Sequence, residues 1–351
     1  MQNGKKKVWY LTLFLVVIYV GIAYQEVGSQ TREKGETFYK GKTIKFLVPF
    51  APGGAVDLWA RALAPYLEKH TGSKMFVENI PGAGGIVGSA QLYSLTKPDG
   101  LTIGVQFLTG LVLAEMMELE GAKFEFDKFT YIGRIDVIWR ILFASKASGF
   151  KSIEDMQKVV KSIRFGVTDK SSASAVDIAI MSEAFGLNSK IIPGYKGSRE
   201  YLLAVAAGRE LDGASAQLIG FEDYVEKGDL VPVAVQGPKR FSNFPRVATV
   251  AETRITKPEG KKLLELLNLL GESGRVVLAP PGLPEEKRLF LEKALIESLK
   301  EPAIKDWAKK NDLEPSLFSG DDCRGLVRRL IELIPKSERP RFKYILTEKF
   351  Y

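Results

Sequence analysis

The stretch LVPFAPGGAVDLWARAL, residues 47–63, decides the fold of this 351-residue chain. Its apolar start is typical of a buried strand, and its last residues have the spacing of an amphipathic helix. Between them lies Pro52-Gly53-Gly54. Glycine lets a ligand come close to the backbone, and the first amides of a helix have no partner within the helix. The junction is therefore either a tight turn or a place where an anion binds at the start of a helix.

Composition places the chain among ordinary globular proteins. Apolar residues make up 45% and charged residues 26% of it, and its length suffices for two domains. The net charge is +8, but the basic residues are scattered among acidic ones, which argues against a nucleic-acid-binding stripe. Cys323 is the only cysteine, so no intrachain disulfide is possible.

The N-terminal residues have the pattern of an export signal. KKK at 5–7 is followed by an apolar run at 8–24, which is also nearly long enough to span a bilayer. Val27-Gly28-Ser29 is the best candidate for a cleavage site. Residues 1–29 are therefore predicted to be a signal peptide or an N-terminal anchor, followed by a tether at 30–41. In either case we expect the rest of the chain outside the cytoplasmic membrane, in the periplasm or its equivalent.

Strands and helices alternate twice along the chain. The first series predicts strands at 43–50, 74–80 and 101–107 with helices between them, the first at 57–70, where Pro65 predicts a kink or an early end. The second series predicts strands at 163–168, 189–195, 211–218 and 230–237 and helices at 172–186 and 198–208. This alternation predicts two α/β units with helices on the faces of their sheets.

Two glycine-rich loops follow consecutive strands of the first unit, PGG at 52–54 and PGAGG at 81–85. In open α/β sheets, ligands bind at the carboxyl ends of the strands, where helices begin. Two helix starts that converge there would hold a carboxylate without a charged side chain. Neither loop matches a phosphate-binding motif, and no buried cationic residue is obvious in the sequence. The loops thus favour an anion site, with tight turns as the alternative.

These motifs resemble one family. VPFAPGGAVDLWAR, followed by VENIPGAGGIVGSAQLYSLTKPDGLTIG, is similar to the solute receptors of tripartite tricarboxylate transporters, the Bug or TctC-like family. The similarity continues through GYKGSREYLLAVAAGRELDG, PKRFSNFPRVATVAE and LAPPGLPEEKRLFLEKALIESLKEP, and it covers about residues 38–320.

The resemblance implies a two-lobed α/β periplasmic binding protein, a Venus flytrap of type II-like form. Each lobe would be a mostly parallel sheet flanked by helices. The first lobe would hold residues 42–140 and 275–351 and the second lobe residues 141–274, with crossings near 138–145 and 270–280. The apolar runs IWRILFAS and GRVVLAPP are the expected crossing strands.

The resemblance also assigns ligand-binding residues in the first lobe. The loops that would grip a carboxylate contain Pro52, Gly53, Gly54, Gly82, Ala83, Gly84 and Gly85. Asp57 matches the family's aspartate in the first motif. A carboxylate in the first helical turn accepts amide hydrogen bonds, so we expect Asp57 to hold the loop.

The second lobe departs from the family pattern. Many members have Gly-Ser-x-x-x-His at a helix start, whereas this chain has TDKSSASAVD at 168–177, with Ala175 in the place of the histidine. Hydroxyls remain at Ser171, Ser172 and Ser174, as helix caps or as ligand contacts. The matching Tyr-Lys-Gly loop is Tyr195, Lys196 and Gly197, where Lys196 either pairs with a second carboxylate or lies at the surface. Asp212 and Ser215 are candidates to bind a ligand amine or hydroxyl.

The function that this implies is capture of a small organic acid for membrane permease subunits of a tripartite tricarboxylate-type transporter. We expect a monomer without cofactor, metal or catalytic activity. A receptor read by a membrane sensor kinase is one alternative, and an enzyme on the same fold is another. His70 is the only histidine, which excludes two-histidine catalysis, and G-x-S-x-G is absent. Cys323 has no obvious base beside it in the sequence.

Overall fold

The computed structural model describes residues 37–218, 220–255, 259–311, 313 and 315–351. The predicted signal or anchor at 1–29, and the tether up to residue 36, lie outside the described residues.

The strands are β1 (Thr43–Val48), β2 (Lys74–Asn79), β3 (Thr102–Phe107), β4 (Thr130–Asp136), β5 (Ile141–Ser145), β6 (Ile163–Gly166), β7 (Ser189–Ile192), β8 (Gly213–Ala216), β9 (Leu230–Val235), β10 (Arg275–Ala279) and β11 (Pro315–Ser319).

The helices are α1 (Ala55–Thr71), α2 (Ile86–Ser94), α3 (Leu108–Met116), α4 (Ile153–Gln157), α5 (Ala173–Phe185), α6 (Ser198–Ala207), α7 (Glu222–Glu226), α8 (Gly260–Ser273), α9 (Glu285–Lys300), α10 (Pro302–Lys310), α11 (Gly320–Leu333) and α12 (Arg339–Thr347). Within the described ranges, none of the helices has the length and apolar character needed to cross a membrane.

The strands form two sheets, with the orders β11-β4-β10-β3-β1-β2 and β7-β6-β8-β5-β9. We call each sheet with its helices a lobe, the six-stranded one first. The two-lobed α/β class is confirmed, but both sheets are mixed rather than mostly parallel. β1 pairs parallel with β2 and β3, and β6 pairs parallel with β7 and β8, whereas β5 and β10 run antiparallel to their neighbours. The reason is that β5 and β10 each enter their sheet from the other lobe.

The chain crosses between the sheets twice. It leaves the first sheet after β4 through residues 137–140, and it returns from α8 to β10 at Gly274. After the return, α9 packs on α1 and β4, which belong to the first lobe. α8 lies between the lobes and contacts α3, α5 and α11. The lobe boundaries given above remain a proposal, with one difference: α12 packs on α5 of the second lobe, although residues up to 351 were assigned to the first.

The first predicted helix is longer than the sequence indicates. α1 continues through Pro65 to Thr71 and ends at Gly72, whose left-handed φ of 71° stops it. Of the two outcomes predicted at Pro65, a kink or an early end, the early end is therefore not found. Trp59, Leu63 and Leu67 bury one face of this helix in the first lobe. Burial of that face stabilises the helix on both sides of the proline and offsets its cost.

Both crossings meet at one buried cluster. The carboxylate of Asp136, the last residue of β4, accepts a hydrogen bond from Trp59 Nε1 at 2.8 Å and one from the Arg275 backbone amide at 3.2 Å. The Arg275 guanidinium donates to the same carboxylate, and both side chains are nearly inaccessible to solvent. Gly274 makes this approach possible, because a Cβ there would lie 1.8 Å from the Asp136 carbonyl oxygen.

Replacing Asp136 by alanine is expected to destabilise the fold by about 3–5 kcal/mol, since it leaves the Arg275 charge buried without its partner. Asp127 is the matched control, because its ion pair with Lys128 is exposed and 3.8 Å long. Asp127→Ala should cost less than about 1 kcal/mol. Urea unfolding of both variants measures the difference, and equal losses would contradict a structural role for the buried pair.

Candidate functional site

A cavity of about 220 Å³ lies between the lobes. Its walls come from three sources: the loops after β1 and β2 with α3 in the first lobe, the start of α5 in the second lobe, and the outgoing crossing with the end of α8. The lining includes Phe50, Gly84, Gly85, Ile86, Ser89, Gln106, Phe107, Thr109, Gly110, Ile138, Arg140, Ser171, Ala173, Asp177, Leu270 and Gly271. The volume is below the roughly 300–1,000 Å³ of pockets for drug-sized ligands, so it suits a small metabolite.

Three helices begin at this cavity. Ile86 opens α2, Thr109 and Gly110 lie in the first turn of α3, and Ala173 opens α5. The first amides of a helix have no acceptor within the helix, and the aligned peptide dipoles place partial positive charge there. The cavity is therefore favourable to an anion on both its first-lobe and its second-lobe walls.

Arg140 and Asp177 add full charges to the cavity. Arg140 lies in the outgoing crossing, and its Nη1 donates to Asp177 Oδ2 at 3.3 Å. Ser215 Oγ donates to the same oxygen at 2.8 Å and accepts from Gln236 Nε2 at 3.2 Å. The Arg140 side chain is 22% exposed and the Asp177 side chain 6%. Arg140 thus reaches the cavity, and its bond to Asp177 uses one of the five N–H donors of a guanidinium.

The PGG loop is held by Asp57. The Asp57 carboxylate accepts from the Gly53 amide and from Arg61 Nε, both at 2.9 Å, and from Asn79 Nδ2 at 2.9 Å. Burial disfavours the charge, but these hydrogen bonds outweigh it and hold the pKa of Asp57 below its ordinary value. Asn79 also donates to the Phe50 carbonyl, which joins the loop to β2. Pro52, Gly53 and Gly54 are exposed at the same edge of the sheet and do not line the cavity.

The second loop reaches the cavity with Gly84 and Gly85 but not with Gly82 or Ala83. All four residues have positive φ, including Ala83 at 46°. A Cβ on Gly85 would lie 2.9 Å from the Phe50 ring, so glycine is required there for space as well as for conformation. The Gly85 carbonyl accepts from Ser89 Oγ, whose oxygen accepts from Gln106 Nε2, each at 2.6 Å.

The serines of the second lobe divide between two roles. Ser171 lines the cavity, and its hydroxyl donates to Asp169. Ser172 caps α5 by accepting from the Ala175 amide, and it contacts the Ser174 hydroxyl at 3.1 Å. Neither Ser172 nor Ser174 lines the cavity, and Ser215 lies behind Asp177.

Four further predicted residues lie away from the cavity lining. Lys196 is exposed, Tyr195 packs edge-on against Tyr201, and Gly197 caps α6. The Asp212 carboxylate binds the Arg164 guanidinium at 3.0 Å. Asp212 lies just before the start of β8, at the end of the strand that is distant from the cavity. Ser215 lies near the other end of β8 and bonds to Asp177, which lines the cavity.

The sequence analysis missed Arg140 and Asp177, two charged residues that line the cavity. One signal was present: Arg140 is the only charged residue of the apolar run at 137–144. Asp177 lies one turn after Ala173 and therefore on the same face of α5. In the part of the chain that the structure describes, no group of three or more His, Cys, Asp and Glu side chains could hold a metal ion.

The fold defines a class, the two-lobed solute-binding proteins, and this member has a cavity between its lobes. The chain belongs to the TctC family, the tripartite tricarboxylate transporter family receptor, whose family model matches residues 59–332. A UPF0065 protein of Bordetella pertussis is 28% identical over 298 residues, which are 83% of this chain and 86% of that protein. The family resemblance predicted from the sequence is confirmed.

Solved structures show the same fold. A TctC solute-binding protein from Polaromonas has a TM-score of 0.70 at 20% identity, over 89% of this chain and 100% of that chain. MatC from Rhodopseudomonas palustris, with bound malate, has a TM-score of 0.59 at 20% identity, over 87% of this chain and 99% of that one. At these identities the comparison concerns the fold.

Replacing Asp57 by asparagine should lower the free energy of unfolding at pH 7 by roughly 2 kcal/mol, because hydrogen bonds to a charged acceptor are lost. Because the folded-state pKa of Asp57 is lowered, its contribution is present above the unfolded pKa of about 3.9 and is lost as the pH falls through the folded value. Urea unfolding at pH 7 and pH 3 should therefore show the two proteins converging in acid. A constant difference would contradict the role of the charge.

Proposed function

We propose that this protein is an extracytoplasmic receptor that captures a small carboxylate-bearing metabolite between its lobes. The observation that carries the proposal is the meeting of Arg140 with the first turns of α2, α3 and α5 at one small cavity. A guanidinium and several helix-start amides form a strong combination for a carboxylate, because charge-assisted bonds and the helix dipoles act together. Asp177 and Ser171 can bind a hydroxyl or amine on the same molecule.

A dicarboxylate fits this arrangement well. One carboxylate would bind Arg140 near the second lobe, and the other would bind the amides of Gly84 and of Thr109 and Gly110 in the first turn of α3. A ligand held from both walls favours the closed arrangement of the lobes. The bound malate of MatC supports the same class of ligand for a protein of this fold.

The proposed partners are the membrane permease subunits of a tripartite tricarboxylate-type transporter, as the family description indicates. The basic start and the apolar run at 8–24 support export, so we propose a periplasmic or equivalent location. We propose that the protein binds its acid without catalysing a reaction of it. Burial raises the pKa of the Cys323 thiol to about 12, which opposes a role for this residue as a nucleophile.

The test is a panel of mono-, di- and tricarboxylates, malate included, measured by thermal shift and then by calorimetric titration. At a hundred times its Kd, an acid should stabilise the protein by about 2.7 kcal/mol. Arg140→Gln should weaken binding roughly tenfold or more, because it removes the charged donor. Arg199→Gln is the matched control: it removes the same charge from an exposed position in the first turn of α6 and should leave affinity unchanged.

Three results would count against the proposal. They are a panel in which no acid binds, an Arg140→Gln protein that binds like the Arg199→Gln control, and catalytic turnover of a bound acid that depends on Ser171. The melting curve of each variant shows whether that variant is folded.

We also propose that the PGG loop, although it does not line the cavity, lets a ligand reach the backbone amides at the start of α1 on the same edge of the sheet. Gly54 tests this cleanly, because its φ of −78° and ψ of 164° are open to any residue and a Cβ there meets only the Ala51 carbonyl, at 3.9 Å. Gly54→Val should weaken acid binding tenfold or more, or about 1.4 kcal/mol, while melting changes little. Unchanged affinity in the folded variant would mean that the loop serves only as a turn. Gly53 is a poorer test, since its φ of 87° strains any substitute.

A further inference from the structure

Residues 336–351 form a segment that touches both lobes, which we call the strap. It contains the short 3₁₀ turn Lys336–Glu338 and α12. The family model matches the chain only up to residue 332, so the strap lies beyond the part that the family description covers. Phe342, Ile345, Leu346 and Phe350 are buried in the same hydrophobic cluster as residues of α3, α5 and α8. The strap is therefore part of the packed structure on both sides of the cleft.

On the first-lobe side, the strap is attached near the end of α3. Arg339 Nη1 donates to Glu115 Oε1 at 3.0 Å, and both side chains are less than one-fifth exposed. Glu115 also accepts from the Phe126 amide, which holds its carboxylate in place. Lys262 of α8 donates to Glu338 at 2.6 Å. The start of α3 lines the cavity, so this attachment joins the strap to one wall of the site.

On the second-lobe side, the strap ends at the loop before α5. Lys349 Nζ donates to Glu183 at 2.5 Å, and the Phe350 carbonyl accepts from the Ile191 amide of the edge strand β7 at 2.7 Å. Lys170 Nζ donates to the Thr347 carbonyl at 3.2 Å and lies 4.5 Å above the centre of the Tyr351 ring. Lys170 is the residue before Ser171, which lines the cavity.

We propose that the strap positions the Lys170–Ser171 loop and restrains the separation of the lobes, and that ligand affinity depends on both contacts. This inference rests on the proposed function. Tyr351 would affect the site by holding Lys170, and Arg339 would affect it by holding Glu115. A loop and a pair of lobes that are already held in place lose less freedom when a ligand binds, so the protein keeps more of the contact energy as affinity.

Two variants loosen the two ends of the strap, and each has a matched control. Tyr351→Ala removes the ring beneath Lys170, whereas Tyr344→Ala removes an aromatic ring of α12 that is 51% exposed. Arg339→Gln removes the partly buried ion pair, whereas Arg341→Gln removes an exposed pair with Glu259 of 3.4 Å. Tyr351→Phe keeps the ring and removes only the hydrogen bond of 3.4 Å from the Tyr351 hydroxyl to the Lys170 carbonyl, so it should recover most of the affinity that Tyr351→Ala loses.

The first measurement is calorimetric titration with malate and with the tightest-binding acid of the carboxylate panel. Tyr351→Ala and Arg339→Gln should weaken binding about threefold or more, and both controls should stay within about twofold. A double variant of Tyr351→Ala with Lys170→Met should lose less than the sum of the two single losses, because both changes break the contact between the ammonium group and the ring, while Lys170→Met also breaks the bond to the Thr347 carbonyl.

The second measurement needs no bound acid. Spin labels at Leu95→Cys and Val160→Cys, 81% and 91% exposed in the first and second lobes, report the distance between the lobes. Loosening the strap should broaden this distance distribution, and the controls should leave it unchanged. Equal affinities and equal distributions in Tyr351→Ala and Tyr344→Ala would overturn the inference. If no panel acid binds, the proposed function fails, and the distance distributions alone decide whether the strap restrains the lobes.

Discussion

The contact between the Asp136 carboxylate and the Arg275 guanidinium is the constraint on which both lobes depend. Asp136 is the last residue before the chain leaves the first lobe, and Arg275 is the first residue after it returns. Burial of an ion pair is costly, and the hydrogen bonds from the Trp59 indole and the Arg275 amide to the carboxylate offset part of that cost, whereas Arg275 Nε has no partner among the described residues. The pair thereby joins α1 and the two crossings at one point.

From this point, hydrogen bonds lead directly to the cavity. The Leu108 amide at the start of α3 donates to the Gly274 carbonyl at 3.2 Å, and Thr109 Oγ1 donates to the Leu270 carbonyl at 2.8 Å. The Ile138 amide donates to the Gly271 carbonyl at 3.2 Å. The helix start that faces the cavity and the segment that carries Arg140 are therefore both held by the end of α8 and by Gly274.

The charge of the cavity is balanced rather than simply positive. Arg140 has Asp177 as its neighbour, and the helix starts contribute partial positive charge without bringing an anion of their own. In the proposed complex, a carboxylate would share Arg140 with Asp177, and Asp177 would keep its bond from Ser215. Neither charge would then be left buried without a partner, and the desolvation of a lone guanidinium is costly.

The sequence by itself determined the features that depend on near neighbours along the chain. The alternation of apolar runs and helical spacings predicted the elements of both lobes, and the glycines at 52–54 and 81–85 marked helix starts at one edge of a sheet. The role of Asp57 was also predictable, because its partner Gly53 is only four residues away. Element ends were less accurate: the first strand stops at Val48, and α1 passes through Pro65.

Only the tertiary structure decided which side chains meet. Arg140 and Asp177 are 37 residues apart, and Asp136 and Arg275 are 139 apart, so no local pattern pairs them. Asp212 and Ser215 looked equivalent in sequence, but they lie at opposite ends of β8, and only Ser215 comes near the cavity. The strap reaches the second lobe for the same reason: its apolar face is buried where α5 and β7 offer a complementary surface. Such contacts depend on the free energy of burying distant segments together, which the local sequence does not encode.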